Sequence, residues 1–214
     1  MRLPTIEKYT HVAVCVPCRD TLHSMFAHNL VQTIQHCAAV GIKTTLLMET
    51  GSLIANQRQN LARSAISINA SHIMWLDSDM LFPVDAVEKL LASNFDIVAC
   101  NYSTRSTPIK GVAYTKLGDW DSWLGFNIAG DRFSEVEGVG MGCMLTKTSV
   151  FAKLDIPWFD VRWNHDMSEY IGEDFYFCTK AAAAGYKIMI DNHLSRDVKH
   201  LGTTGFRLIE AVRR

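Results

Sequence analysis

The sequence lacks a hydrophobic run long enough to cross a lipid bilayer. Its longest apolar stretches, HVAVCVPC and HIMWL, fall far short of the roughly 20 residues that a membrane-spanning helix needs. The first ten residues, MRLPTIEKYT, are polar and carry no apolar segment typical of a secretory signal peptide. These absences predict a protein without a membrane span.

The sequence also lacks an excess of charge of either sign. It contains 21 Lys and Arg residues and 22 Asp and Glu residues among 214. Proteins that hold nucleic acids or anionic membranes through bulk charge carry a clear positive surplus. The balance therefore gives no support to either function, although a local basic patch is compatible with it.

A second CxxC motif is missing as well. Of six scattered cysteines, only Cys15 and Cys18 form a CxxC pair, so no paired-CxxC zinc site is predicted. Cys15, Cys100 and Cys143 lie in apolar, strand-like runs, which is typical of small core residues. A thioredoxin-like use of Cys15 and Cys18 is disfavoured because Pro17 and Cys18 end a strand rather than open a helix. We therefore expect a reduced, cytoplasmic protein.

The sequence does contain a regular alternation of strand-like and helix-like segments. Apolar residues make up 48% of the chain, enough for the core of a single domain. Their spacing predicts, in chain order, strand His11–Val16, helix Thr21–Val40, strand Ile42–Met48, a helix capped by Ser52 that ends near Ala70, strand His72–Leu76, a helix from Pro83, strand Asp96–Cys100, strand Val139–Thr146, helix Glu173–Ala184, strand Tyr186–Ile190 and a short helix near Phe206–Val212.

This order of elements predicts the fold class. Strands separated by helices favour parallel pairing through right-handed crossovers, and continuously apolar strands are typical of burial on both faces. We expect one α/β domain with a Rossmann-like, doubly wound and mostly parallel sheet. Ligands of such sheets bind beyond the carboxyl ends of the strands, here at Pro17–Thr21, Glu49–Leu53 and Asp77–Phe82.

Two aspartates follow the third predicted strand, in HIMWLDSDM. Residues two apart in an extended segment point to the same side, so Asp77 and Asp79 offer oxygen ligands suited to Mg²⁺ or Mn²⁺. An ion held there stabilises the negative charge of a departing nucleoside diphosphate. A structural alternative is that the pair caps the turn before Pro83. Its position at the carboxyl end of a central strand favours the metal.

This DxD motif and six further segments, in the same order, resemble family-two-like glycosyltransferases of the GT-A fold. The segments are VAVCVPCRD, LLMETGS, IANQRQNLARSA, GVGMGCMLTKTSVF, GEDFYFCTKAAAAGYKI and VKHLG. The resemblance implies a metal-dependent transfer of sugar from a nucleotide-diphosphate sugar to an acceptor hydroxyl. It also implies a single domain, residues 1–214, with a nucleotide-binding half at 11–100, an acceptor and catalytic half at 101–202 and a tail at 203–214.

The resemblance further implies the residues that bind the donor and the metal ion. The residues that the resemblance implies bind the donor are Pro17, Arg19, Asp20, Glu49, Arg58, Asp77, Ser78 and Gly140. Metal binding falls to Asp77, Asp79 and His200, and an imidazole ligand suits Mn²⁺ better than Mg²⁺. Glu49 can pair with uracil N–H, which favours UDP over GDP. The sequence departs from the family pattern at Gln59, where an Asn is usual, and His193 is a second candidate ligand.

The ED motif of the family corresponds to Glu173 and Asp174. In inverting relatives this Asp takes the proton of the acceptor hydroxyl, so the resemblance gives Asp174 the role of base and Glu173 that of orienting the acceptor or its loop. Acidic residues also suit the positive end of a helix without any catalytic role. An inverting reaction is favoured. The acceptor stays open between a glycan, a small molecule, a protein and modified DNA.

Two further groups of residues keep two interpretations each, and one further segment has a single candidate role. One group is formed by Gly138, Gly140 and Gly142, which either let backbone approach a sugar or phosphate or form a tight turn. Another is formed by the tryptophans of irregular segments, which either stack on sugars or cap a small core: Trp120, Trp123, Trp158 and Trp163. The stretch Gly202–Phe206 is a candidate lid over the diphosphate.

Three other functions share some of these features. A haloacid-dehalogenase-like phosphatase would use Asp77 as its nucleophile, but Met80 and Leu81 follow the motif, and no second Asp stands four or five residues after Asp174. A sugar-phosphate nucleotidyltransferase would need a glycine-rich basic loop, which VPCRDTLHS lacks. A non-catalytic nucleotide-sugar-binding module is disfavoured because both aspartates of the DxD motif, Asp174 and His200 are all present.

Overall fold

The protein is described by a computed structural model over residues 10–125, 130–166, 168–202 and 206–210. The helices are α1 Ser24–Ala39, α2 Ile54–Ser67, α3 Ala86–Ser93, α4 Thr148–Phe151, α5 Glu173–Ala183 and α6 Asn192–Ser195, with a 3₁₀ turn at Leu208–Glu210. The strands are β1 His11–Cys18, β2 Lys43–Thr50, β3 His72–Leu76, β4 Met80–Leu81, β5 Ile97–Ala99, β6 Ala113–Tyr114, β7 Phe133–Val136, β8 Gly138–Val139, β9 Cys143–Lys147, β10 Arg162–Asn164, β11 Glu169–Ile171, β12 Ile188–Asp191, β13 Lys199–His200 and β14 Phe206–Arg207.

A seven-stranded sheet in the order β2-β1-β3-β9-β5-β12-β7 forms the centre of the fold. Strand β1 pairs in parallel with β2 and β3, and β5 pairs in parallel with β12. Strand β9 runs antiparallel between β3 and β5, and β7 runs antiparallel along β12. The predicted mostly parallel sheet is confirmed. The strand β9 can run against its neighbours because it enters from the irregular middle of the chain rather than through a crossover helix.

Both faces of the sheet are covered, as the continuously apolar strands predict. All eight residues of β1 are buried, and successive side chains point to opposite faces. Val14 packs in one core cluster with Phe26 of α1 and Leu90 of α3. Cys15 packs in the other with Leu61 of α2. Helices on both faces make the sheet doubly wound.

The larger core cluster is built around an indole. Trp75 of β3 is fully buried, and its Nε1 donates a hydrogen bond to Thr146 Oγ1 at 3.1 Å. Its ring meets Phe151 and Phe159 with centroids 6.4 and 5.5 Å apart, and Phe177 of α5 stacks on both of these phenylalanines. The indole nitrogen therefore has its partner inside the apolar cluster. All six cysteines are free and buried, which confirms the core role predicted for Cys15, Cys100 and Cys143.

Several predicted boundaries were wrong. Ser52 does not cap α2; the N-cap is Leu53, whose side chain makes no capping hydrogen bond. Helix α3 begins at Ala86 because the chain first turns at Pro83, whose carbonyl accepts from Ala86 N at 2.9 Å. In place of a helix near Phe206–Val212, the chain forms β14 and a 3₁₀ turn, and residues 211–214 lie outside the described residues. Among the described residues no helix is long and apolar enough to cross a bilayer.

The predicted strand Val139–Thr146 is divided by a glycine-containing bend. Its start, β8, pairs with β6, and its end, β9, joins the central sheet. At the bend, Gly142 N donates to Tyr102 Oη at 3.0 Å. A Cβ atom on Gly140 would lie 2.5 Å from Tyr102 Oη, and one on Gly142 would lie 2.7 Å from it. These two glycines leave room for a buried tyrosine, so the tight-turn interpretation explains both.

We expect Gly140→Ala to destabilise the fold by about 1–3 kcal/mol, because the added methyl group overlaps the Tyr102 hydroxyl in a closely packed region. Urea denaturation measures the effect. The matched control is Gly125→Ala, whose added Cβ has, among the described residues, only Trp123 within 4 Å, at 3.8 Å, and which should change the free energy of unfolding by less than about 0.5 kcal/mol. Adding Tyr102→Phe to Gly140→Ala should restore part of the loss. Equal stability of the two alanine variants would contradict this packing role.

Candidate functional site

A cleft of about 540 Å³ opens beyond the carboxyl ends of β1, β2 and β3. It is lined by Pro17, Cys18, Arg19, Gly51, Ser52, Ile54, Gln57, Asp77, Ser78, Asp79, Arg105 and His200. The structure thus brings six of the predicted site residues to one place: Pro17, Arg19, Asp77, Ser78, Asp79 and His200. A second cavity of about 580 Å³, between α1 and Leu81–Pro83, contains none of the predicted site residues.

A buried arginine lies beneath this cleft and joins its two acidic motifs. Arg58 of α2 is 1% exposed. Its Nη2 donates to Asp77 Oδ1 at 2.8 Å, and its Nε donates to Glu173 Oε1 at 3.0 Å. No described residue accepts a hydrogen bond from its Nη1. The guanidinium therefore fixes the end of β3 against the start of α5, and the donor contact predicted for Arg58 stays a prediction.

Asp79 and His200 meet because two short strands pair. In the small sheet, β13 runs antiparallel to β4 and places His200 opposite Met80. His200 Nε2 then lies 3.4 Å from Asp79 Oδ2, and His200 Nδ1 lies 3.0 Å from the carbonyl oxygen of Ser103. Since a carbonyl only accepts, Nδ1 carries the proton of this bond. In neutral His200 the Nε2 lone pair therefore faces Asp79, whereas in protonated His200 the Nε2–H group faces this carboxylate.

Asp79 has a second partner that the sequence did not indicate. Arg105 Nη1 lies 3.0 Å from Asp79 Oδ2 and also donates to the carbonyl oxygen of Leu201 at 3.0 Å. Burial alone would raise the pKa of Asp79, but the hydrogen bond and charge of His200 and the charge of Arg105 together lower it. The carboxylate is therefore ionised at neutral pH and already engaged.

The three predicted metal ligands line one cleft without converging on a common point. Within the part of the chain that the structure describes, no group of three or more His, Cys, Asp or Glu side chains is arranged to hold an ion. Asp77 turns towards Arg58, and Asp79 turns towards Arg105. The alternative ligand His193 is exposed on α6 and does not line the cleft.

The ED pair occupies the first turn of α5, as predicted. Glu173 is buried, whereas Asp174 keeps partial access to solvent. Burial and then the charge of Glu173 raise the pKa of Asp174 to about 7, against the opposing effects of a hydrogen bond from Phe175 N and the charge of Arg58. Asp174 can therefore accept and release a proton near neutral pH.

An aromatic group flanks the start of α5. Tyr114, Trp120 and Phe175 contact one another with ring centroids 4.9 to 5.5 Å apart, and Trp120 Nε1 donates to a carboxylate oxygen of Glu169.

Of the other tryptophans of irregular segments, Trp123 and Trp158 are 5% and 7% exposed and belong to the core. The fourth, Trp163, is 46% exposed on β10, where it pairs with Tyr170 of β11.

The remaining predicted donor residues lie around the cleft rather than in its lining. Arg19 lines the cleft, but its neighbour Asp20 is exposed outside it. Glu49, at the end of β2, accepts a hydrogen bond from Asn60 Nδ2 at 3.0 Å. Gly140 is buried against Tyr102. Donor contacts of Asp20, Glu49 and Gly140 stay predictions, and the lid proposed at Gly202–Phe206 includes residues 203–205, which lie outside the described residues.

Three residues at the site were not identified from the sequence: Gln57, Tyr102 and Arg105. Gln57 Nε2 donates to the carbonyl oxygens of Cys18, Glu49 and Gly51 at 2.6, 3.3 and 3.1 Å, which ties the ends of β1 and β2 together. The position of Gln57, one residue before Arg58, was the signal in the sequence that could have identified it as a site residue. Tyr102 and Arg105 follow β5 in an irregular loop, and no periodicity or motif marks them.

No protein-family model matches the sequence, and no curated protein matches it either. Solved structures with a similar fold include A197 from STIV, with 18% identity, a TM-score of 0.59 and coverage of 90% of this chain and 86% of that one. Another is a Drosophila β-1,4-galactosyltransferase 7 mutant in complex with manganese, UDP-Gal and xylobiose, with 13% identity and a TM-score of 0.51. That alignment covers 85% of this chain but only 65% of the galactosyltransferase.

A third structure is a putative glucose-1-phosphate thymidylyltransferase from Bacillus anthracis in complex with sucrose, with 12% identity and a TM-score of 0.40. The alignment covers 66% of this chain and 73% of that one. At these identities the comparisons show the fold alone. They confirm the predicted class, a single α/β domain of the GT-A type with a Rossmann-like sheet.

We expect Arg58→Gln to destabilise the protein by about 3–5 kcal/mol, because it leaves the carboxylate of Glu173 buried without its partner. Arg58→Lys should recover only part of this, since an ammonium does not reproduce the fork that reaches two carboxylates. The control is Arg63→Gln, an exposed position on the same helix, with an effect below about 0.5 kcal/mol. Denaturant titration compares them. Wild-type stability of Arg58→Gln would show that the bridge is dispensable.

Proposed function

We propose that this protein is a metal-dependent glycosyltransferase that moves a sugar from a nucleotide-diphosphate sugar to an acceptor hydroxyl, with inversion. One observation carries the proposal. Arg58 holds the DxD aspartate Asp77 and the ED glutamate Glu173 at once, so both acidic motifs belong to one site at the carboxyl ends of the strands. The galactosyltransferase of similar fold was solved with manganese and UDP-Gal, which supports the same substrate class here.

The donor nucleotide fits the cleft formed by the first three strands. Pro17, Arg19 and Ser78 line it, as expected of residues near the base, ribose and diphosphate. UDP is the favoured nucleotide because the Glu49 carboxylate, at the end of β2, is an acceptor for uracil N–H. Asn60 already donates to this carboxylate, which fixes its orientation.

The donor atoms around the DxD motif suit a divalent ion. Two carboxylates and the lone pair of an imidazole nitrogen are ligands that Mn²⁺ accepts, and Mg²⁺ accepts the carboxylates. Asp77, Asp79 and His200 would hold the ion, and the bond from His200 Nδ1 to Ser103 orients the imidazole for this. Bound there, the ion would supply positive charge to the departing diphosphate.

Asp174 is the candidate base. As the acceptor oxygen attacks the anomeric carbon and the bond to the diphosphate breaks, the hydroxyl proton passes to the Asp174 carboxylate. A pKa of about 7 suits this transfer, because the carboxylate is available at neutral pH and still has affinity for a proton. Glu173, fixed by Arg58, positions the first turn of α5. The ring of Trp120 beside this turn offers a stacking surface for a sugar acceptor.

We expect Asp79→Asn to weaken Mn²⁺-dependent UDP binding by at least about tenfold, because it removes a charged ligand. Asp174→Asn should keep UDP binding and lose transfer, because an amide cannot take the proton. Nucleotide binding is measured by calorimetric titration of UDP, GDP and CDP with and without Mn²⁺. Sugar transfer is measured by the release of UDP from UDP-sugars with a panel of acceptors. Asp155→Asn, exposed after α4, is the control. Metal-independent UDP binding, or normal transfer by Asp174→Asn, would contradict the assignment.

The raised pKa of Asp174 predicts two pH dependences. Transfer needs the ionised base, so kcat/KM should rise about tenfold per pH unit below about 7 and level off above it. Ionising a carboxylate whose folded-state pKa is raised costs stability, so wild type should lose stability as pH rises from about 4 to 7, by up to about 1.4 kcal/mol per pH unit. Asp174→Asn should lack this loss. Parallel stability curves for the two proteins would contradict the shift.

A further inference from the structure

Two arginines, Arg58 beneath the cleft and Arg105 in its lining, hold the DxD motif in different ways. Arg58 is buried and pairs with two carboxylates, so its position is fixed. Arg105 has one carboxylate partner, Asp79, and one backbone acceptor, the carbonyl oxygen of Leu201, and its side chain is 47% exposed. A partly exposed ion pair of this kind contributes little to stability, so little free energy opposes a change of partner. Arg105 is therefore a cation of the site that can move.

Arg105 holds an atom that a metal ion at the DxD motif would need. Its Nη1 and His200 Nε2 both approach Asp79 Oδ2, at 3.0 and 3.4 Å. A divalent ion bound to both Asp79 and His200 would lie next to Asp79 Oδ2, where Arg105 Nη1 now lies. The positive charge of the ion would repel the guanidinium of Arg105. Arg105 must then leave Asp79 and find another anionic partner.

The loop that carries Arg105 allows this exchange by side-chain rotation alone. Thr104 N donates to the carbonyl oxygen of Lys110 at 2.8 Å, and Lys110 N donates to Thr104 Oγ1 at 3.0 Å. These bonds close the loop on itself, so its backbone is held independently of the Asp79 pair. Arg105 also lines the nucleotide cleft, within reach of a ligand there.

We propose that Arg105 occupies the metal position at Asp79 in the free protein and moves to the diphosphate of the nucleotide when the ion binds. This inference rests on the proposed function. The planar guanidinium matches two phosphate oxygens at once, so the diphosphate beside the ion is the partner that its chemistry favours. Asp79 thus has a cation partner in both states, and the departing diphosphate gains a second positive charge.

The inference predicts two effects of opposite sign in Arg105→Gln. Mn²⁺ should bind more tightly in the absence of nucleotide, by about 3- to 10-fold, because its competitor for Asp79 is gone. UDP should bind more weakly in the presence of saturating Mn²⁺, by about 10- to 100-fold, because a charge-assisted contact to phosphate is lost. UMP, which lacks the second phosphate, should lose less affinity than UDP. Arg105→Lys should restore part of the UDP affinity.

Mn²⁺ affinity in the absence of nucleotide is measured by electron paramagnetic resonance of free Mn²⁺. UDP affinity at saturating Mn²⁺ is measured by calorimetry. The control is Arg162→Gln, which removes another exposed arginine that pairs with a carboxylate, Asp160, and does not line the cleft. Weaker Mn²⁺ binding in Arg105→Gln, or unchanged UDP binding beside normal binding by wild type, would overturn this inference alone. Wild type that binds no nucleotide would overturn the proposed function with it.

Discussion

The guanidinium of Arg58 is the interaction on which the site depends. It lies between Asp77 at the end of β3 and Glu173 at the start of α5, and its side chain is almost completely excluded from water. A buried positive charge is costly unless it is paired, and here the residues that pair it come from two motifs nearly a hundred positions apart in sequence. Satisfying one charge therefore forces both motifs into the same place.

The central sheet supplies the rigid frame for this contact. Trp75 of β3 lies two residues before Asp77, and the Arg58 guanidinium lies over its ring, 5.8 Å from the centroid. On the neighbouring strand, the bend at Gly142 brings its carbonyl oxygen to Asp77 N at 3.1 Å. The backbone of Asp77 is thus held from below by the sheet and its side chain from the side by Arg58. Such support keeps a carboxylate in one orientation before any ligand arrives.

The helices and strands whose apolar residues recur at regular spacing were predicted from the sequence. Strand His72–Leu76 was predicted with the bounds that the structure has, and the helix of the ED motif differs by one residue at its end. Periodicity could not indicate that Asp77 would face Arg58, since their contact depends on how α2 packs on the sheet. It was also silent on Tyr102 and Arg105, whose loop has no repeating pattern. A tight turn was one of two interpretations of the glycines between β8 and β9, and the sequence could not decide between them because the glycines make room for Tyr102, which is 38 or more positions earlier.

The pairing of β13 with β4 has a consequence for how the protein is made. His200 reaches the cleft only when Lys199 and His200 lie beside Leu81 and Met80. Strand β12, between β5 and β7, must also be in place before the sheet is complete. A ribosome that adds residues in order delivers His200 more than 100 positions after Asp79, so the third candidate ligand is made last. A shorter nascent chain carries the DxD aspartates without the imidazole of His200, so the lining of the cleft cannot be completed before β13 has been synthesised and has paired with β4.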